Sequence, residues 1–297
     1  MSAAGAEIAA EVLPPPSRGL RFGWIRRIGH SKVATIGLLI ILFWAVVAVT
    51  APWISPFPPN LPIRPMASAG VRAPNGAVFW LGTDHLGRDI LSRIIWGSRT
   101  VLVYAPLATA CSFVIGITAG LLAGFKRGWI DEALSRITDL VLAFPALVLY
   151  IIIISKFGAS GINIVLAVTL ASSPAIMRLT RGLVLALRTR AFVAAAQLRG
   201  EPAWRVMVVE ILPNASGPLI VDACLRLGYV VITIGTLGFL GLGLPPPDPD
   251  WGGMINDTRK FALVFPHMVL FPCLAVCSLV LGFNLLADGL RELVTED

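Results

Sequence analysis

Residues 33–54 contain no charged side chain and are almost entirely apolar. A hydrocarbon core about 30 Å thick takes about 20 such residues of helix, so this segment reads as a bilayer crossing. Comparable stretches recur at about 100–125, 140–155, 157–177, 217–240 and 261–287. Six crossings spread through most of the chain predict a single all-α integral membrane bundle. Pro106, Pro145, Pro174 and Pro272 fall inside these stretches. They do not defeat the reading, because neighbouring helices can re-satisfy the backbone groups a proline frees.

Composition agrees. Charged residues make up 14% of the chain, apolar residues 56%, and mean hydropathy is +0.81, whereas a soluble domain carries about 25% charged residues. The net charge of +7 reads as topology rather than as a nucleic-acid surface, since Lys and Arg collect in loops that stay in the cytoplasm. With the N-terminus inside, segments 1–32, 126–139, 178–214 and 288–297 hold 15 Lys and Arg, against 8 in the outer segments. Both termini are therefore expected to be cytoplasmic. The predicted order is a cytoplasmic tail over 1–32, a first crossing over 33–54 and an extracytoplasmic segment over 55–99. A core over 100–288 and a short cytoplasmic tail follow. Cys111, Cys224, Cys273 and Cys277 lie in apolar stretches, and His30, His85 and His267 are scattered. Neither set has the spacing of a metal site.

The cytoplasmic stretch 178–214 is too charged for lipid and too long for a turn. Ala191 to Leu198 are mostly good helix formers, and Gly200 with Glu201-Pro202 ends that helix. A second helical stretch, 204–212, is expected to stop before Pro213. Helix, glycine break and helix, held between two crossings, make a projection through which a soluble partner could push on the bundle. On the outer side, Asp84, Arg88, Asp89 and Arg93 are spaced so that opposite charges could pair along a short helix, and Gly82 and Gly87 would permit close backbone approach. That segment suits either contact with another protein or a self-paired loop on lipid head groups. In the fifth crossing Asp222 and Arg226 sit one turn apart. An isolated charge there costs about 2.5–3.5 kcal/mol, so the two read as a candidate intramembrane ion pair or as residues snorkelling from the cytoplasmic end, ahead of a substrate contact in a wet cavity. No Gly-Lys dipeptide occurs in the chain, so it has no phosphate-cradling loop of the common type. No Gly-x-Ser-x-Gly or His-Glu-x-x-His constellation occurs either.

Two segments carry a family resemblance. Ala195, Ala196, Gly200, Leu212 and Pro213 fall at the spacing of the Glu-Ala-Ala loop of ABC importer permeases, with Ala194 in place of the glutamate and Glu210 in place of an isoleucine. Residues 81–99 resemble the LGTDxxGRDxLSRxxxGxR signature of the C-type subunits of the oligopeptide, dipeptide and nickel permease subfamily. Residues 142–145, 237–243, 246–247 with 251–252, and 288–291 also look like that subfamily. The resemblance implies the type I ABC importer permease fold. Ala194, Ala195, Ala196, Gly200 and Glu201 would lie in the helix that docks on an ATPase. Gly82, Asp84, Gly87, Arg88, Asp89 and Arg93 would form an extracytoplasmic interface. It further implies a transport subunit with no ATPase site or cofactor of its own, with ATP and Mg bound on separate subunits. The partners would be a homologous second permease, two ATP-binding subunits and an extracytoplasmic solute-binding protein. Di- and oligopeptides are the expected solutes, with nickel, glutathione or another small solute as the alternative. A stand-alone secondary transporter or channel is a more distant alternative. It would call for more intramembrane ionisable groups than Asp222 and Arg226.

Overall fold

The computed structural model describes residues 31–295; the basic N-terminal stretch expected over 1–32 lies almost wholly outside them. Among the described residues, five helices are long and apolar enough to span a bilayer, or six if one bent pair counts as a span. Helix α1 is Lys32–Ile54, its first turn capped by the Ser31 hydroxyl, which accepts from the Ala34 amide. Helix α2, Ile90–Lys126, is followed by α3, Gly128–Leu142, and α4, Ala146–Phe157. Helix α5 is Gly161–Leu187 and the short α6 is Ala191–Leu198. Helix α7 runs over Ala203–Phe239, α8 is Trp251–Thr258, and α9 is His267–Thr295.

Several boundaries differ from the sequence reading, each for a local reason. The second crossing starts at Ile90 rather than near residue 100, because Asp89 caps it there with its carboxylate on the Ser92 amide. At 37 residues and 1.5 Å per residue, α2 is about 55 Å long, so it extends well beyond the hydrocarbon. The charged stretch expected as a loop over 126–139 is mostly helix. Arg127 turns the chain at φ 56° and α3 starts at once. The third crossing is not straight: α3 and α4 meet at 85°, where Pro145 disfavours helix at the residue before it. The fourth begins at Gly161, after the Ser160 cap, and continues to Leu187. The expected stop before Pro213 is absent. Residues Val206–Ile211 form a π-helical turn that leads directly into Leu212–Phe239. Pro213 follows this π-helical turn at once, where the wider i→i+5 pattern already interrupts the α ladder. The sixth crossing starts at His267 rather than near 261, after the turn that carries Pro266, and its helix continues through the expected tail to Thr295.

Inside a bilayer helices gain little from hiding apolar surface, so they associate by close packing. The α2–α5 contact shows this. Gly116, Gly120 and Gly124 recur one turn apart, and a Cβ on each would fall 2.6, 2.5 and 2.7 Å from the Cβ atoms of Ile176, Thr180 and Val184. Helix α1 lies on α9 in the same way, with Gly37 against the backbone of Gly282 and Leu286 and Gly289 against Ala34. Trp251, fully buried, ties together the half of the bundle where α2 begins. Its indole donates to the Ile94 carbonyl at 3.0 Å, its ring meets Trp44 edge-on, and Gly97 leaves room for it.

Replacing Gly120 by alanine should lower the thermal midpoint of the detergent-solubilised protein by several degrees, since overpacking costs about 1–3 kcal/mol. Gly182→Ala on α5, where a Cβ meets nothing within 4 Å, should leave the midpoint unchanged or raise it. Equal effects in a fluorescence-detected melt would contradict the close-packing account.

Candidate functional site

At one end of the bundle, residues 55–89 form a compact turn-rich layer around Phe57, Ala67, Ala73 and Phe79. The Thr83 hydroxyl donates to the Arg64 carbonyl and accepts from the Ala67 amide. Asp84 Oδ1 accepts from the amides of Leu86 and Arg88, and Oδ2 accepts from Arg88 Nε at 2.6 Å. The expected Asp84–Arg88 pair therefore forms, but across a turn rather than along a helix. Gly82 at φ 80° and Gly87 at φ 83° bend the chain, and a Cβ on Gly82 would lie 2.6 Å from the Ala67 carbonyl oxygen. Asp89 is taken up by its capping bonds to Ser92, and Arg93 donates instead to the Pro59 carbonyl and to Asn60. Arg88 also reaches Asp257 on α8 at 3.5 Å, joining the layer to the end of the bundle.

Asp250 completes this outer assembly, and the sequence reading missed it. Its carboxylate accepts from the amides of Gly252 and Gly253 and starts α8. It rests on Gly238 and Gly243, where a Cβ would lie 2.0 and 2.4 Å from Oδ2. The clue was present in the run of glycines over 238–243 and the Asp-Trp-Gly-Gly at 250–253. Burial pushes the Asp250 carboxyl up to about 6, opposed by its backbone hydrogen bonds. Burial also raises Asp89. Arg88, Arg93, Asp248, Asp250 and Asp257 line a cleft of ≈ 140 Å³ between this assembly and the end of α7.

At the opposite end, α6 and the start of α7 form the expected projection. Val193, Ala196, Val206, Met207 and Ile211 are buried against Leu121 of α2 and Val184 of α5. Ala196 is thus a bundle contact, while Ala194, Ala195 and Gly200 are exposed and Glu201 half-buried. Gly200 makes the turn at φ 74°. Leu198 and Trp204, which the sequence reading did not single out, are 89% and 62% exposed beside it. Arg199 donates to Glu201 at 2.8 Å and reaches Glu210 at 3.4 Å. The glutamate at the isoleucine position thereby braces the turn, while the adjacent Ile211 faces the core. Arg188 donates to the carbonyls of Gly124 and Phe125, closing the end of α2.

Within the span of α7, Arg226 Nε donates to Asp222 Oδ2 at 2.6 Å, so the candidate ion pair is made. Two further pairs join α3 to α5. Arg181 binds Asp131 through two nitrogens, and Arg178 binds Asp139.

Residues 116–296 match the family described as binding-protein-dependent transport system inner membrane component. Residues 23–73 match the N-terminal transmembrane domain of oligopeptide transport permease C. A dipeptide transport system permease protein from Alkalihalophilus pseudofirmus is 38% identical over 90% of this chain and 86% of its own. A di/tripeptide permease protein from Pseudomonas aeruginosa is 39% identical, covering 89% of this chain and 88% of its own. A glutathione transport system permease protein from Pectobacterium atrosepticum is 38% identical over 90% and 88%.

The raised carboxyls of Asp250 and Asp89 hold a proton more tightly folded than unfolded. Both therefore contribute more stability as pH falls toward the ordinary carboxylate range, Asp250 as pH passes down through about 6. The solubilised protein should unfold at a higher temperature at about pH 5 than at about pH 7, and Asp250→Asn should remove most of that slope. A midpoint that falls on acidification would contradict the buried-carboxyl assignment.

Proposed function

The chain belongs to the family of binding-protein-dependent transport system inner membrane components, multi-pass proteins of the inner membrane, and on that premise we propose that it is one of two permease halves of an ATP-driven peptide importer. The second half is a homologous permease. Two ATP-binding subunits grip the cytoplasmic projections, and a solute-binding protein docks outside. The chain contributes no ATPase chemistry; it converts movement of the motor into a change of access.

The observation that carries this reading is the exposed tip of the projection. Leu198 and Trp204 stand in water beside Gly200, while Val193, Ala196 and Ile211 anchor the other face in the bundle. An exposed Trp with a large apolar neighbour on a rigid base suits an interface, where Trp is enriched. A push there is delivered to α2 and α5, whose glycine-packed contact makes them move as one body. At their outer end, α2 is continuous with the Asp89 cap and the charged layer. There the cleft lined by Arg88, Arg93 and Asp257 offers polar contacts to an extracytoplasmic partner. Closure of the motor around ATP would then bias the paired bundles from inward-open to outward-open, a two-state change driven by differential binding.

Di- and tripeptides are the solutes this reading favours, since peptide permeases of two organisms are relatives over nine-tenths of the chain. The glutathione permease at similar identity favours a second reading, in which the cargo is that modified tripeptide. In both, selection rests mainly with the binding protein.

Leu198→Asp should remain in the membrane at the normal level but lose co-purification with the ATPase, along with about tenfold or more of labelled dipeptide uptake, the loss expected at an interface centre. Gly200→Val, whose Cβ meets nothing but whose φ is strained, should uncouple in the same way. Wild-type uptake by both variants would overturn the docking assignment.

A further inference from the structure

Where the long helices are uncovered, their surface is mostly that of a lipid-facing wall. The large exposed residues of α1 are Ile36, Leu39, Leu42, Phe43, Val46 and Val49. On the outer half of α5 they are Ile162, Leu166 and Leu170. Helix α7 differs. Asp222, Arg226, Tyr229, Thr233 and Thr236 follow one another at steps of four, three, four and three, which places them on one narrow face. The opposite face carries the buried residues Gly228, Val231, Ile234 and Gly238. Tyr229 is 66% exposed, and the side chains of Asp222 and Arg226 are each 21% exposed.

The depth of this face makes it costly in lipid. Counted from Phe239 at its outer end, Arg226 is thirteen residues down, about 20 Å at 1.5 Å per residue, well within a core about 30 Å thick. The ion pair uses Nε and one carboxylate oxygen. Among the described residues it leaves Arg226 Nη1 and Nη2 and Asp222 Oδ1 without a protein hydrogen-bond partner. Hydrocarbon offers such atoms nothing; water, or a solute, does. The stripe continues sideways, for the Tyr150 hydroxyl of α4 lies near Thr233 and near Ser172 of α5.

Building on the importer reading, we infer that this stripe is the wetted wall of the solute path, and that Arg226 and Asp222 receive the carboxylate and ammonium groups of a short peptide in transit. The planar fork of Arg226 matches a carboxylate, and Asp222 matches an amine. Tyr229, Thr233 and Thr236 provide hydroxyls at one-turn intervals for peptide amides. The pair closes on itself at 2.6 Å when the path is empty and exchanges partners with the zwitterion when it is filled. Each charge thus stays compensated at a depth where a lone one is costly.

The test uses the assembled importer in membrane vesicles, with Cys111, Cys224, Cys273 and Cys277 replaced by alanine in a variant that retains uptake. Tyr229→Cys and Thr233→Cys are compared with Leu39→Cys and Val46→Cys for reaction with a membrane-impermeant methanethiosulfonate. Only a thiol that reaches water ionises and reacts. Positions 229 and 233 should react about tenfold or more faster than 39 and 46, and saturating dipeptide with ATP should slow them. Equal rates at all four positions would overturn the wetted wall, even where uptake shows the importer reading to be sound. Fast reaction that dipeptide does not slow would overturn the peptide contact. As a separate measurement, Arg226→Gln should retain assembly but lose about tenfold of uptake, a loss of about 1.4 kcal/mol. The exchanged pair, Asp222→Arg with Arg226→Asp, should not recover it. Full recovery by the exchanged pair would reduce the two residues to a structural bridge.

Discussion

The close approach of α2 to α5 through Gly116, Gly120 and Gly124 is the interaction on which the rest of the structure depends. With lipid on all sides, no solvent drives these helices together, and contact distance decides how firmly they hold. Three glycines facing Ile176, Thr180 and Val184 bring the backbones near enough for the pair to act as one spine. The outer end of that spine starts at the Asp89 cap, inside the charged layer. Its inner end supplies Leu121 and Val184 to the small core beneath the projection. The charged layer and the tip of the projection are therefore joined by a continuous, tightly packed element.

Charge placement follows from the same constraint. The outer layer keeps Asp84, Arg88 and Asp89 buried by giving each carboxylate backbone or arginine donors. Asp250 sits on two glycines and caps α8, and its carboxyl yields to burial by holding its proton more tightly. The projection does the reverse. It leaves its two large apolar residues, Leu198 and Trp204, in solvent, where a partner can reach them. On this view the two ends differ because one is built for internal order and the other for contact.

Much of this was legible in the sequence, and the failures have physical causes. The apolar runs gave the spans because lipid imposes length and composition directly. Gly200 gave the turn because it adopts φ 74°, which other residues adopt only under strain. Asp222 and Arg226 were legible as a pair because one helical turn separates them. Their place in a longer polar stripe was not, since Tyr229, Thr233 and Thr236 pass for ordinary residues of a crossing until burial shows which face is bare. The outer charges were misread as a helix because i,i+4 spacing also occurs across a turn when Gly82 and Gly87 take positive φ. Ala196 matched the docking pattern by spacing, yet the register of α6 turns it into the bundle. The role of Asp250 depends on Gly238 and Gly243 coming back beside it, which no local pattern reports.

Coupling to a nucleotide-driven subunit requires the tip at Leu198 to stand on the cytoplasmic side. The most direct measurement is the sidedness of a thiol at that position. Leu198→Cys, in a background free of other cysteines, is exposed to an impermeant maleimide in right-side-out and in inside-out membranes. Reaction confined to inside-out membranes is the expected result, and reaction in right-side-out membranes would contradict it.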